Sequence, residues 1–354
     1  MEFAERAPGR TIEIEGEQFL FFSGTSYLGM AHNEPFRKYL LDGLDIYGTN
    51  YGSSRNSNFQ FKIFEEAEEK LASLAGADSA LTVSSGYLAG QLVAGIYKKR
   101  ADFFYAPNTH PALSLNNENC YSGKFDLWTQ KIADKVSVSK MQEVVIFANS
   151  LDPLFCERFS FDWIFELPRD KKISVVIDDS HGFGITGING GGIFSLLKIP
   201  DNVNFIVTAS LGKALGIPGG VVFSNNKINT SLKNEPLFIG SSPLNPAYLF
   251  AYLKAEKEYI KARENLALNF QSFHNIISPI SFLKYFDQLP VFFVENKLLY
   301  QYLIKKKIFI SHFPYPAPEN DPISRIVISS LHTEEDLKFL GDSILEFNQD
   351  FRKS

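Results

Sequence analysis

The sequence predicts an α/β protein with a large domain on a mostly parallel sheet and a smaller α+β domain after it. Three observations carry this. Apolar runs of strand length alternate with helical stretches from about residue 80 to residue 223, the pattern of strands joined by crossover helices. Five of those runs end in polar clusters, as strands do where a parallel sheet gathers its ligand. From about residue 271 the composition changes to shorter strands and helices. The expected division is an N-terminal arm over 1–33, a large domain over 34–270 and a small domain over 271–354. At 354 residues the chain can bury a sizeable core.

Residues 11–22, TIEIEGEQFLFF, predict a hairpin turning at Glu15-Gly16. A helix is expected over 34–47, followed by a polar loop over 47–58, YGTNYGSSRNSN, long for a mere connector. The next helix starts near Gln60, with Phe64, Ala67, Leu71 and Leu74 as its apolar stripe and Gly76 as its stop. Its acidic positions Glu65, Glu66, Glu68 and Glu69 read as a solvated face. Strands are expected at 80–83, 103–106, 144–148, 173–177, 204–208 and 219–223, then a long helical region over 246–273. Three more strands follow at 289–295, 308–312 and 325–330. The last helix opens at Thr333, with Asp336 making a capping-box variant. Lys305, Lys306 and Lys307 mark a helix end, where dipole and solvent account for them.

The net charge of −5 argues against nucleic acid or an anionic membrane as the main partner. Two cysteines, Cys120 and Cys156, are too few for a disulfide framework and lack metal-ligand company, so buried thiols and a reducing compartment are expected. The first ten residues hold no apolar core of signal-peptide length, and no apolar run is long enough to span a bilayer. A cytoplasmic protein is expected. The 33 Phe and 15 Tyr are scattered and read as core.

The chemistry centres on Lys213. The run Asn204-Phe205-Ile206-Val207-Thr208 leads into the small-residue turn Ser210-Leu211-Gly212-Lys213. A lysine at the edge of a core can lose its proton and attack a carbonyl, as a Schiff-base lysine must. Upstream, the run ending at Ile177 delivers Asp178, with His181 three residues on. A strand-end carboxylate followed by a strand-end lysine is the pair pyridoxal phosphate needs: one holds the ring nitrogen protonated, the other holds the aldehyde. Ser84-Ser85-Gly86-Tyr87, between a strand and a helix, offers backbone amides for an anion. His110 follows another strand and could lie on a ring. Gly190-Gly191-Gly192 predicts a flexible loop beside the site, and does not match a dinucleotide fingerprint.

The segments SYLGM, YGTNYGSSR, SSGYLAG, NTHPAL, IDDSHGFGITG, SLGKALG, FIGSSPLNP and SRIVISSLHTEEDL, in this order, resemble the α-oxoamine synthase group of fold-type I pyridoxal-phosphate enzymes. That group includes 8-amino-7-oxononanoate synthase, 2-amino-3-ketobutyrate ligase, 5-aminolevulinate synthase and serine palmitoyltransferase. The likeness runs from about Phe22 to the C-terminus. It implies that Lys213 carries the cofactor aldehyde and moves the substrate Cα proton. It implies further that Asp178 pairs with the ring nitrogen, that His181 and Ser150 bond the ring oxygen, and that His110 stacks on the ring. The amides of Ser85, Gly86 and Tyr87, with the Ser210 hydroxyl, would hold the phosphate. Ser242 of a second copy would reach the same phosphate, making a homodimer with the site at its interface. Arg325 would grip the amino-acid carboxylate.

The activity implied is condensation of an amino acid with an acyl thioester, on CoA or a carrier protein, giving an α-amino ketone. An aminotransferase or retro-aldol lyase on the same scaffold is the alternative, and a binding protein that has lost catalysis a third. Three departures bear on substrate choice. Thr25 stands where many members carry asparagine, a threonine usual before Arg325 is missing, and so is an aspartate usual before His110.

Overall fold

A computed structural model describes residues 3–115, 123–315 and 318–351; Cys120 lies outside them. In chain order, β1 (Thr11–Ile14) and β2 (Glu17–Phe22) form the hairpin expected at 11–22. Glu15 and Gly16 turn it at φ 51° and 77°, the left-handed pair that a two-residue hairpin needs. Next come α1 (Glu34–Tyr47) and α2 (Ile63–Ala75), the latter closed by Gly76 in the left-handed conformation. Then follow β3 (Ser79–Val83), α3 (Gly86–Tyr97), β4 (Asp102–Tyr105), α4 (Phe125–Ser137) and β5 (Glu143–Asn149). Two short strands, β6 (Leu151–Asp152) and β7 (Glu157–Arg158), precede β8 (Lys172–Asp178), β9 (Val203–Ser210) and β10 (Gly220–Ser224). The helical region expected over 246–273 is broken: α5 (Asn226–Lys233) and α6 (Pro236–Gly240) lead to α7 (Pro246–Lys254) and α8 (Glu256–Ile277). The chain ends with β11 (Leu283–Lys284), β12 (Val291–Val294), α9 (Leu299–Lys305), β13 (Ile308–Pro314), β14 (Pro322–Val327) and α10 (Glu334–Phe351).

The chain divides into two compact units. One comprises Pro35–Asp152 and Arg158–Glu256; the other comprises the ends, up to Glu34 and from Lys257, with Pro153–Glu157. The first unit is built on a six-stranded sheet ordered β3-β10-β9-β8-β5-β4. Strands β4, β5, β8 and β9 run parallel, and β10 is antiparallel to both its neighbours. Central strands covered on both faces read as near-continuous apolar runs. Val144 to Ala148 and Val175 to Ile177 are accordingly buried throughout. Helix α3 packs Leu92 and Val93 on one face against Phe147, Val176, Ile206 and Val222.

Glu68 departs from the solvated face expected of α2. It is buried and holds the buried Arg55 guanidinium through Oε1 and Oε2, at 2.6 and 3.2 Å. The Thr82 amide and hydroxyl both donate to Oε1 at 2.8 Å, and Arg55 lies 4.2 Å over the Phe64 ring. The polar loop over 47–58 is thus anchored by an ion pair that the amphipathic pattern of α2 cannot reveal.

The second unit carries a six-stranded sheet ordered β1-β2-β13-β14-β12-β11. Strand β2 pairs in parallel with β13, so the hairpin expected in an arm over 1–33 belongs to the C-terminal sheet, and α8 from Lys257 falls with it rather than from 271. Apolar Leu337, Leu340 and Ile344 of α10 are fully buried. The expected capping box is present: Thr333 N–H donates to Asp336 Oδ2 at 2.9 Å, and Asp336 N–H to Thr333 Oγ1 at 3.3 Å. Cys156 is buried with Sγ donating to Val291 O. Among the described residues no helix is long and apolar enough to cross a membrane.

Candidate active site

Four strand ends of the first unit bring most of the expected residues to one edge of the sheet. Asp178 ends β8, opposite Asn149 at the end of β5 and Thr208 of β9. Side chains alternate along a strand and share a face with their register partners. Asn149, Thr208 and, two residues on, Ser210 therefore lie on the Asp178 face. Ser150, one residue on, turns to the other side of the strand, beside Asp179, whose anion it favours. Sequence alone does not give that register, which adds Asn149 to the candidates beside Ser150.

Asn149 also fixes His110. Its Oδ1 accepts the His110 N–H at 3.0 Å, and its Nδ2 donates to Asn108 O at 2.7 Å. Asn108 adopts φ 57°, a left-handed geometry that asparagine tolerates. Within the turn, His110 Nδ1 accepts from Ala112 N–H at 3.1 Å. The neutral ring then carries its proton on Nε2, leaving an exposed imidazole with a donor edge.

The Asp178 carboxylate is oriented by Ser180 N–H, which donates to Oδ1 at 3.0 Å. Ser180 Oγ in turn accepts Ser210 N–H at 2.9 Å, tying the ends of β8 and β9 together. Lys213 is partly buried on the turn that follows, between fully buried Leu211 and Ala214. His181 is partly buried three residues after Asp178.

At the start of α3, Ser85 caps the helix by accepting Leu88 N–H at 3.0 Å. The two preceding helical amides, of Gly86 and Tyr87, have no intrahelical acceptor. They sit beside Ser210 because position 86 has no side chain: a Cβ there would lie 2.9 Å from the Ser210 Cβ. Helix-start amides, a serine hydroxyl and this close approach form a cradle suited to a phosphate. With Asp178 at hand for a ring nitrogen and Lys213 for an aldehyde, the residues present fit pyridoxal phosphate.

Ser242 is exposed after α6, and neighbouring Ser241 donates to Leu237 O. Arg325 belongs to the second unit, in the middle of β14 opposite Ser311 and Phe293. It is buried, with Nη1 donating to Pro153 O at 2.9 Å and the guanidinium 5.3 Å over the Phe313 ring. Its Nε has no hydrogen-bond partner, and no carboxylate pairs with it among the described residues. A buried guanidinium without a counter-ion is suited to an anionic ligand.

The profile of the family described as aminotransferase class I and II matches residues 22–344. The chain is 28% identical to an 8-amino-7-oxononanoate synthase of Petrotoga mobilis over 95% of this chain and 90% of that protein. It is 25% identical to an 8-amino-7-oxononanoate synthase of Fervidobacterium nodosum over 98% of this chain and 93% of that one. Among solved structures, a serine palmitoyltransferase from S. paucimobilis superposes with a TM-score of 0.83 at 16% identity, covering 99% of this chain and 92% of that one. That likeness establishes the fold.

Proposed function

Because the chain belongs to the aminotransferase class I and II family, we propose that it is a pyridoxal-phosphate-dependent acyltransferase that condenses an amino acid with an acyl thioester. The observation that carries this is the meeting of Asp178, Ser210 and the uncommitted amides of α3 on the sheet edge that leads into Lys213. The names of the two curated relatives favour acyl transfer over transamination or lyase chemistry.

Bound in this cradle, the cofactor supplies an aldehyde for an amine and a ring that accepts the electron pair left at the substrate Cα. The chain's residues do the rest. The Gly86 and Tyr87 amides and Ser210 hydroxyl bind the phosphate. Asp178, held by the Ser180 amide, keeps a proton on the ring nitrogen; Asn149, on its face of the sheet, supplies an amide donor for the ring oxygen with His181. His110, fixed by Asn149 and Ala112, presents its ring to the cofactor and orients the substrate. Lys213 Nζ removes the proton at the amino-acid Cα and returns one there after the carboxylate has left. Arg325 binds the carboxylate until it leaves as carbon dioxide. The new carbon–carbon bond joins Cα to the acyl carbon, the acyl carbon–sulfur bond breaks, and the thiol departs.

A second copy of the chain completes the site through its Ser242. Exposed Leu237 and Ile239 on α6, just before that serine, give this surface the apolar character of an interface. Incubating the pyridoxal-phosphate-loaded protein with amino acids and acyl-CoAs while following free thiol tests the function. Thiol release that requires both substrates supports it. Amino-group transfer to a keto acid with no thiol release contradicts it.

A further inference from the structure

The acidic pair at the end of β8 has a second member, Asp179, to which the mechanism above gives no part. It is buried, and its Oδ2 accepts the Ile193 N–H at 2.8 Å. Its main-chain oxygen accepts the amides of Gly182 and Phe183 at 3.0 and 2.9 Å, and its own N–H donates to Thr208 O at 2.8 Å. The segment from 182 to 193, which includes the triple glycine, is therefore tied at its start to the Asp179 backbone and at its end to the Asp179 carboxyl. Two glycines fix how closely. At Gly192, with φ 71°, a Cβ would lie 2.1 Å from Asp179 Oδ2. At Gly184, with φ 95°, it would lie 2.7 Å from the Cβ of Ala214, the neighbour of Lys213. The loop held by Asp179 thus begins just after His181 and leans on the turn that carries Lys213.

We propose that Asp179 is a positioning residue for this reaction, its carboxyl closing the 182–193 loop so that Asp178, His181 and the Lys213 turn keep one arrangement. Its charge reaches the same groups. Burial pushes the Asp179 carboxyl up to about 7, against the Ser150 hydroxyl and the Ile193 amide, which favour the anion. The charged groups that act on it are Asp178 on its own strand, which raises its pKa, and Lys213 on the turn after β9, which lowers it. Below that pH Asp179 is neutral; above it Asp179 adds a negative charge that acts on Lys213.

The inference deepens the function proposed above and rests on it only where the cofactor is the reporter. Asp179→Ala removes both clasp and charge; Asp179→Asn keeps an oxygen for the Ile193 amide but cannot ionise. Hydrogen exchange of the amides from 183 to 193, measured without cofactor, is expected to speed up roughly tenfold or more in D179A and to stay within about threefold of wild type in D179N. In D179N carrying pyridoxal phosphate, the pH midpoint of the cofactor's absorbance change is expected to fall by about half a unit or more, because a negative charge near Lys213 is gone. Unchanged exchange in D179A, or an unmoved midpoint in D179N, overturns the proposal. If D179A does not fold, the D179N midpoint decides. If wild type forms no coloured adduct, the proposed function falls, and the exchange data alone uphold or overturn the clasp.

Discussion

Asn149 and Asp178 stand directly opposite each other at the ends of adjacent parallel strands, while Ser150, the next residue along, turns away from that face. Asn149→Ala is therefore expected to weaken pyridoxal phosphate binding roughly tenfold, the scale of one hydrogen bond plus a loosened His110 turn. Ser150→Ala is expected to stay within about threefold of wild type. Absorbance titration with the cofactor measures both, and a larger loss in S150A would contradict the assignment of faces.

Arg325 is buried with no carboxylate beside it among the described residues. Arg325→Ala is expected to raise the KM for the amino acid roughly a hundredfold, as expected when one side of a buried charge pair is removed. The KM for the acyl thioester and the affinity for pyridoxal phosphate are expected to change little. Steady-state kinetics with each substrate varied in turn checks this, and an equal effect on both KM values would contradict it.

The Arg55–Glu68 pair is fully enclosed, with carboxylate and guanidinium 2.6 Å apart. Glu68→Ala leaves a buried guanidinium without its partner and is expected to cost about 3–5 kcal/mol. The double variant Arg55→Met with Glu68→Leu is expected to recover much of that, because no charge remains buried. Urea unfolding at fixed pH compares them.

His332 is buried, donating from Nε2 to Phe21 O and accepting Ser329 N–H at Nδ1, both at 3.0 Å. Burial lowers its pKa to about 4, against about 6.5 in the unfolded chain. Between those values the unfolded chain takes up the proton and the folded one does not. The histidine's contribution is thus complete above about pH 6.5 and lost as pH falls toward 4, by roughly 3 kcal/mol in total. Asp179 works in the opposite sense, since its raised pKa of about 7 makes its contribution fall as pH rises. Comparing wild type with His332→Gln cancels that term: the difference in their urea midpoints is expected to shrink from pH 7.5 to pH 5, and a constant difference would contradict the assignment.

Much of this was legible in the sequence because local chemistry carried it. The Glu15-Gly16 hairpin, the stop at Gly76, the Thr333–Asp336 box and the strand leading to Lys213 each depend on residues adjacent in the chain. What stayed hidden depends on register or on distant partners. Whether Asn149 or Ser150 shares a face with Asp178 is decided by how β5 is aligned with β8. Glu68 looks solvated until Arg55 arrives from a loop, and the hairpin at 11–22 looks like an arm until β2 meets β13. The triple glycine carries no local sign of its neighbour, because the Asp179 carboxyl that Gly192 and the Ile193 amide meet lies more than ten residues away in the chain.

The covalent bond between pyridoxal phosphate and Lys213 is tested most directly by incubating the protein with pyridoxal phosphate, reducing with borohydride and mapping the modified residue by mass spectrometry. The expected result is a phosphopyridoxyl group on Lys213, absent from Lys213→Ala and much reduced in Asp178→Ala. Modification spread over surface lysines, with Lys213 unmodified, would contradict it.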